Sequence, residues 1–114
     1  MKHVMRLNSQ PFEMIKNGEK TIELRLYDKK RKNVQVGDEI EFIHSLNENQ
    51  RLRCRVLKLY LFSSFEELYA NLPLLKCGYT LKNISSACPK DMEEYYSRKE
   101  QEEYGVVGIE LKIL

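Results

Sequence analysis

Hydrophobic and polar residues alternate along several short segments of this 114-residue chain. In residues 21–28, Ile22, Leu24 and Leu26 fall on one face, and polar side chains fall on the other. This period of two is typical of a β-strand whose two faces meet different surroundings. Related patterns predict four more strands, over residues 3–8, 39–44, 51–62 and 106–114.

The longest of these segments changes phase along its length. Its apolar residues occupy even-numbered positions from Leu52 to Val56 and odd-numbered positions from Leu57 to Leu61. An extra residue in one strand of an antiparallel pair produces such a change. The pattern therefore predicts a bulge or a barrel corner near Val56, and a bent strand favours a barrel over a flat sheet.

A first helix is predicted between the first two strands. Asn8 or Ser9 suits the N-cap position, and Pro11 fits the first turn. Gly18 suits the C-terminal end, because glycine readily adopts the left-handed conformation found there.

Two further helices are predicted before the last strand. Ser64 and Glu67 match a capping box, and this helix must end before Pro73, because the residue before a proline avoids the helical conformation. Residues 74–86 show no clear period and are predicted to be irregular. Residues 89–103 show an acidic amphipathic pattern, which predicts the third helix.

The order of these elements indicates the fold class. Five strands interrupted by helices in this order do not repeat as β-α-β units. The order favours an α+β fold, a small barrel of mixed or mostly antiparallel strands with peripheral helices. The length of 114 residues predicts a single domain over residues 1–114.

Composition and charge narrow the classes of function. The formal net charge of +2 does not indicate nucleic-acid binding unless the basic residues are clustered. Cys54, Cys77 and Cys88 are odd in number and lack C-x-x-C spacing, which predicts reduced thiols. No segment has the pattern of a signal peptide or a membrane span, so we expect a cytoplasmic protein with no membrane partner. We expect neither a metal nor a cofactor.

The polar face of residues 21–28 consists of Thr21, Glu23, Arg25 and Tyr27. A solvent-facing strand is the simpler interpretation, and the alternation alone favours it. The alternative is a binding site, in which Glu23 and Arg25, roughly 7 Å apart along a strand, offer an acceptor and a fork of donors. A nucleobase edge or a phosphate requires groups of these kinds.

Three short motifs favour the binding site over the solvent-facing strand. They are G-E-K-T-I-E-L-R from Gly18, V-G-D-E-I-E-F from Val36 and Y-G-V-V-G-I from Tyr104. Together they resemble the activating-signal-cointegrator homology (ASCH) domain, over about residues 5–111. The resemblance implies a PUA-like β-barrel with a cleft floored by the second strand, and binding of RNA or a nucleoside-like ligand. The expected ligand-binding residues are then Thr21, Glu23, Arg25 and Tyr27.

One branch of that family gives an enzymatic alternative, the small bacterial acetylcytidine amidohydrolases. The resemblance implies removal of an acetyl group from a modified nucleoside by a lysine, a threonine and a glutamate. Lys20 falls on the lysine position and Glu23 on the threonine position, so these two are the catalytic candidates. A carboxylate would act as a base or an acceptor rather than as a hydroxyl nucleophile. The family's later glutamate has no clear counterpart in this chain. Helix capping or solvation is the expected role of Glu66, Glu67, Glu93 and Glu94, and one of them could be the missing acid.

The role of Lys20 depends on its charge and its direction. Glu19 and Glu23 favour the protonated form, so a cation that binds an anion or polarises a carbonyl is the preferred role. Strict alternation would place Lys20 and Glu23 on opposite faces of the strand. A turn over residues 18–20 would relax that constraint.

A basic loop follows the same strand and contains Lys29, Lys30, Arg31 and Lys32. A solvated loop and a phosphate-binding loop both fit its composition. Its position directly after the candidate binding strand favours phosphate contacts, which would weaken with added salt.

Tyrosines near the end of the chain also have two interpretations. Tyr95, Tyr96 and Tyr104 could stack on bases as ring platforms. Packing of Tyr95 with Met92 against the barrel is the simpler expectation.

Three functions stay open from the sequence. The first is binding of RNA or a nucleoside-like small molecule in the cleft, and the second is hydrolysis of an acetylated cytidine. The third is protein interaction through the acidic helix, over residues 91–103. The sequence determines neither the identity of the ligand nor the oligomeric state.

Overall fold

The computed structural model describes residues 1–114. The strands are Lys2–Leu7 (β1), Ile22–Leu26 (β2), Glu39–His44 (β3), Arg51–Phe62 (β4) and Val106–Ile113 (β5). The α-helices are Ser9–Lys16 (α1), Phe65–Asn71 (α2) and Arg98–Tyr104 (α3). Short 3₁₀ helices occupy Arg31–Asn33, Leu74–Lys76, Ile84–Ser86 and Pro89–Glu94. None of the helices has the length and apolar composition that a membrane crossing requires.

The five strands form one curled sheet in the order β1-β3-β4-β5-β2. β1 and β3 are parallel, and all other neighbours are antiparallel. The sheet closes only part of the way round, as a half-barrel whose two edges are β1 and β2. The predicted α+β fold, with mostly antiparallel strands and peripheral helices, is confirmed.

The main core fills the inside of the half-barrel. Alternate residues of β1, β3, β4 and β5 point inward, and α1 contributes Phe12 and Ile15, three positions apart on one face of the helix. The other members are Met5, Leu7, Val34, Ile40, Phe42, Cys54, Val56, Val107, Ile109 and Leu111.

A second cluster lies on the other side of β2. Ile22 and Leu24 pack there with Phe65 of α2 and with Leu72, which follows that helix. Gly108 of β5 permits the close approach, because a Cβ atom at that position would lie only 2.7 Å from Leu72 Cδ1. The apolar residues of β2 therefore face α2 rather than the main core.

The bulge predicted near Val56 is present, as a register shift of β4 against β5 between Val56 and Lys58. Beyond the bulge, Leu59 packs on the main core, whereas Tyr60 and Phe62 pack on the second cluster. One bent strand thus serves both clusters.

The polar face of β2 points to the inside of the half-barrel. Glu23 pairs with Ile109 and Arg25 pairs with Val107, and both partners belong to the main core. Directly paired residues of neighbouring strands project to the same face of a sheet. The alternation that suggested a solvent-facing strand therefore marks the inner wall of a cavity, and the solvent-facing interpretation is wrong.

The third predicted helix is not one continuous helix. A 3₁₀ helix spans Pro89–Glu94, and α3 starts anew after Ser97. Ser97 and Glu100 form a capping box, in which each side chain accepts a hydrogen bond from the other residue's backbone N–H. This local start signal interrupts the amphipathic pattern, so the acidic helix considered for protein interaction is two short segments.

Candidate functional site

A pocket of about 350 Å³ opens between the two edge strands of the half-barrel. Its lining comes from β1 and α1, from Lys20 and β2, from α2, and from the irregular segment between α2 and α3. Edge strands present unpaired backbone groups, and here Arg25 Nη2 donates to the backbone oxygen of Arg6 at 3.0 Å. A side chain rather than a backbone ladder joins β2 to β1, and the pocket lies beside this junction.

Lys20, Glu23 and Arg25 form the floor of the pocket, and we refer to them as the triad. Lys20 Nζ lies 2.7 Å from Glu23 Oε1, and Arg25 Nε donates to Glu23 Oε2 at 2.6 Å. Glu23 is only 4% exposed and Lys20 only 9%. Each carboxylate oxygen therefore has its own cationic partner, and the triad carries one net positive charge.

The ionisation of Glu23 follows from this geometry. Burial acts to raise the pKa of the Glu23 carboxyl, but the charges and hydrogen bonds of Lys20 and Arg25 outweigh it and lower the pKa to about 2. For Arg25, burial acts to lower the pKa, while Glu23 and Tyr96 raise it above its ordinary value. The Glu23 carboxylate is thus ionised and fully engaged at neutral pH, which makes it a weak base.

A turn before β2 directs Lys20 toward Glu23. Gly18 ends the α1 segment with a φ of +80°, and β2 begins only at Ile22. Strand alternation therefore does not govern Lys20, and its side chain reaches the same side as Glu23. Gly78, from the irregular segment, lies against the lysine stem, where a Cβ atom would be 3.5 Å from Lys20 Cδ.

One wall of the pocket is held by a chain of hydrogen bonds. Tyr79 donates to Asp91 Oδ2 at 2.7 Å, and the hydroxyl of Tyr69 lies 2.7 Å from that of Tyr79. Because Tyr79 uses its one proton on Asp91, Tyr69 is the donor to Tyr79. Burial, Tyr69 and Asp91 all raise the pKa of Tyr79, so its hydroxyl keeps its proton at neutral pH. It ties α2 to the irregular segment.

Tyr95 is an aromatic side chain that lines the pocket and remains 59% exposed. Its neighbours Met92 and Tyr96 pack on the second cluster, but Tyr95 does not, so the expected packing of Tyr95 against the barrel is wrong. Burial, Glu94 and Glu23 raise the pKa of Tyr95. An accessible ring therefore stands at the edge of the pocket.

The other predicted site residues lie outside the pocket lining. Thr21 joins Lys76 and Leu111 through its backbone groups, and Tyr27 packs against the main core. Their expected contact with a ligand stays a prediction.

The basic loop is also outside the pocket lining. Arg31 Nη1 donates to Asp28 Oδ2 at 2.8 Å, and Lys32 Nζ lies 5.8 Å from the centre of the Tyr27 ring. Lys29 and Lys30 are exposed. Phosphate contact by this loop stays a prediction as well.

Sequence reasoning missed several polar residues of the pocket, among them Arg6, Tyr69, Tyr79 and Asp91. They belong to different segments, and no local motif connects them. A signal existed only for Asp91, which caps the 3₁₀ helix after Cys88. No group of three or more His, Cys, Asp or Glu side chains is arranged to hold a metal ion.

Comparison with protein families places this geometry in a known group. Residues 5–114 match the model of the ASCH domain. The chain belongs to the ASCH domain family. The match covers all the elements of this ASCH domain except the first residues of β1.

Solved structures agree with this assignment. This ASCH domain is similar to the crystal structure of hypothetical protein PH0355, with 32% sequence identity, a TM-score of 0.83 and 100% of both chains covered. It is similar to the solution structure of protein PF0455 from Pyrococcus furiosus, with 32% identity, a TM-score of 0.76 and coverage of 100% of this chain and 98% of that one.

The similarity to more distantly related structures shows only that the fold is shared. The ASCH structure from Zymomonas mobilis shares 12% identity, with a TM-score of 0.65, and the match covers 96% of this chain and 65% of that one. No curated protein matches the chain.

Proposed function

We propose that this ASCH domain binds a nucleoside-type ligand, free or as one unit of an RNA strand, in the pocket between β1 and β2. The triad of Lys20, Glu23 and Arg25 at the base of the pocket carries the proposal. Burying three charges gives no stability advantage over apolar packing of similar volume. A buried carboxylate with a strongly lowered pKa inside a cleft, as at Glu23, is typical of functional sites.

The groups left free in the pocket define the chemistry of the ligand. Both oxygens of Glu23 are engaged, so the triad offers the remaining N–H donors of Lys20 and Arg25. Such donors suit a carbonyl oxygen of a base or an oxygen of a phosphate. The carboxylates of Asp91 and Glu94 line the same pocket and accept hydrogen bonds from amino or hydroxyl groups. A nucleoside presents both kinds of group.

Tyr95 supplies the aromatic contact that a planar base requires. Its ring is accessible at the pocket, and stacking on aromatic side chains is the common way in which proteins hold an unpaired base. In the RNA form of this proposal, the strand leaves the pocket and the cations of the basic loop contact its phosphates. We place this activity in the cytoplasm, as the composition suggests.

The proposal is tested by calorimetric titration of the four common nucleosides and their monophosphates into the protein. We expect saturable binding of at least one of them. Lys20→Met keeps most of the side-chain stem and removes the charge, so it should weaken binding. Lys99→Met, an exposed lysine of α3, is the matched control and should leave affinity unchanged. Absence of binding to nucleosides and to single-stranded RNA would contradict the proposal.

Amide hydrolysis of an acetylated cytidine is the second candidate. Glu23 is a poor base because its pKa is about 2, but Glu94 and Asp91 add carboxylates to the pocket that holds Lys20. Lys20 would polarise the acyl carbonyl, and one of these carboxylates would activate water. Release of cytidine from acetylcytidine, followed by chromatography, should then disappear in Lys20→Met. No release by folded protein would leave binding as the function.

A further inference from the structure

The outer face of the sheet carries a second concentration of charge, separate from the pocket. The pairings of β1 with β3, of β3 with β4 and of β4 with β5 place ten charged side chains on this one face, with Arg6, Lys58 and Glu110 at its margins. We call the central part of this surface the basic face, and it consists of Lys2, Glu39, Glu41, Arg51, Arg53, Arg55 and Lys112. None of these residues lines the pocket.

Cations outnumber carboxylates on the basic face. Five cations stand against two carboxylates, which leaves a surplus of three, whereas the whole chain carries only +2. At one side of the face Arg6 forms an ion pair with Glu48, and at the other side Lys58 is opposite Glu110 on the neighbouring strand, so these four charges cancel and do not change the surplus. The charge of the protein is therefore concentrated rather than spread evenly.

The carboxylates organise the arginines without neutralising them. Both oxygens of Glu39 accept from Arg53 Nη2 at 3.0 Å, and the same carboxylate lies 3.6 Å from Arg55 Nη2. Glu41 lies between Arg51 and Lys2. Because two cations share one carboxylate, each cation keeps N–H donors that face solvent. The shared carboxylate holds these donors in place.

One pair on this face places like charges side by side. Arg55 and Lys112 are directly opposite each other on neighbouring strands. Like charges in this position are destabilising; Glu39 offsets the charge of Arg55, whereas Lys112 makes no ion pair. An arrangement that the fold itself does not favour indicates a partner that supplies the missing negative charge.

We propose that the basic face is a docking surface for the phosphate backbone of a single-stranded nucleic acid. Guanidinium groups match phosphate oxygens, and their repeat along β4, about 7 Å between alternate residues, follows an extended chain. Val4 is the apolar side chain that alternates with these cations on β1. A membrane surface would favour several large apolar anchors, so nucleic acid fits this face better. Backbone contact implies binding with little dependence on base sequence.

Titration of labelled single-stranded RNA at several salt concentrations tests this inference. Two sequences of equal length should bind alike, and the logarithm of the association constant should fall with the logarithm of salt with a slope of about −2, as expected for three phosphate contacts. Arg55→Gln combined with Lys112→Gln should reduce the slope by about 1.4. This double variant loses the contacts of Arg55 with Glu39 and with the Gly37 oxygen as well as the repulsion from Lys112, so its urea midpoint should stay close to that of the wild type.

Matched variants separate the basic face from other cations. Lys82→Gln with Lys99→Gln removes two exposed charges elsewhere and should leave the slope unchanged. If Lys29→Gln with Lys30→Gln lowers the slope and the basic-face variant does not, the basic loop is the phosphate site and the inference is wrong. Absence of RNA binding, or binding to phosphatidylserine vesicles in preference to RNA, would also overturn it. These outcomes do not depend on nucleoside binding in the pocket, which free nucleosides test separately.

Discussion

Glu23 and Glu39 are both held between two cationic side chains, but they lie on opposite faces of the sheet. Glu23, between Lys20 and Arg25, sits at the floor of the pocket and is 4% exposed. Glu39, between Arg53 and Arg55, lies on the basic face, where the Arg53 side chain remains 57% exposed. The two sites contain the same chemical groups, but the first is buried in the protein and the second is exposed to water.

The difference in burial determines what each set of charges can do. Burial acts against the charge of Glu23, yet Lys20 and Arg25 lower its pKa to about 2. The pKa of Glu39 is also lowered, chiefly by its hydrogen bond from Arg53, but water screens its partners. A buried triad holds a fixed geometry suited to one small ligand, whereas the exposed cations form a surface suited to a long polyanion.

The largest effect is expected from Glu23→Gln. This change keeps the shape of the side chain but leaves the buried Lys20 and the partly buried Arg25 without a counter-charge. Breaking a buried ion pair in this way costs about 3–5 kcal/mol of unfolding free energy. Urea denaturation followed by circular dichroism measures the loss. Glu39→Gln is the matched control on the basic face and should move the denaturation midpoint much less, so equal losses would contradict the distinction between the two sites.

Acid should weaken the pocket in a defined pH window. The folded-state pKa of Glu23 is about 2 and its ordinary value is 4.5. Its contribution to stability is therefore complete above pH 4.5 and is lost as the pH falls toward 2. The difference between the two pKa values corresponds to about 3 kcal/mol.

Comparison with Glu23→Gln isolates this contribution. Asp38 titrates in the same window, because a hydrogen bond from His3, above all, lowers its pKa to about 2. The wild type and the Glu23→Gln variant both keep Asp38, so the difference between their unfolding free energies reports the contribution of Glu23 alone. That difference should shrink across the window, and a constant difference would show that Glu23 is not stabilised as an ion.

A smaller effect is expected from Tyr95→Leu. Stacking of a base on an aromatic ring contributes about 1–3 kcal/mol, so nucleoside affinity should fall by roughly 5-fold to 150-fold. Tyr95→Phe retains the ring and should bind nearly as well as the wild type. Because Tyr95 is exposed, neither change should alter the urea midpoint. If Tyr95→Leu and the wild type bind nucleosides with equal affinity, Tyr95 is not part of the binding site.

Local patterns predicted most of the fold. Alternation located all five strands, and the phase change in β4 located the bulge at Val56. The third helix was predicted as one element because amphipathic spacing continued through Ser97. Ser97 and Glu100 form a capping box that is visible in the sequence, and this capping box determines where α3 starts.

The site was only partly accessible from the sequence. The alternation of β2 grouped Glu23 with Arg25, but it could not say which face was inside, because the second cluster under α2 covers the apolar face. Whether Lys20 joined them depended on the turn after Gly18. Tyr79, Asp91 and the other wall residues come from an irregular segment, whose placement depends on tertiary contacts rather than on a repeating pattern.

Mapping of nucleoside binding by two-dimensional ¹H–¹⁵N NMR tests the central claim most directly. A 13.6 kDa protein suits this experiment, and each of the four common nucleosides, which carry no phosphate, can be titrated in turn. We predict that the backbone signals of Glu23, Gly78 and Tyr95 shift in a saturable manner, while those of Arg53 and Lys112 do not move. Shifts confined to the basic face, or the absence of any saturable shift at the pocket, would contradict the assignment of the buried triad as the ligand site.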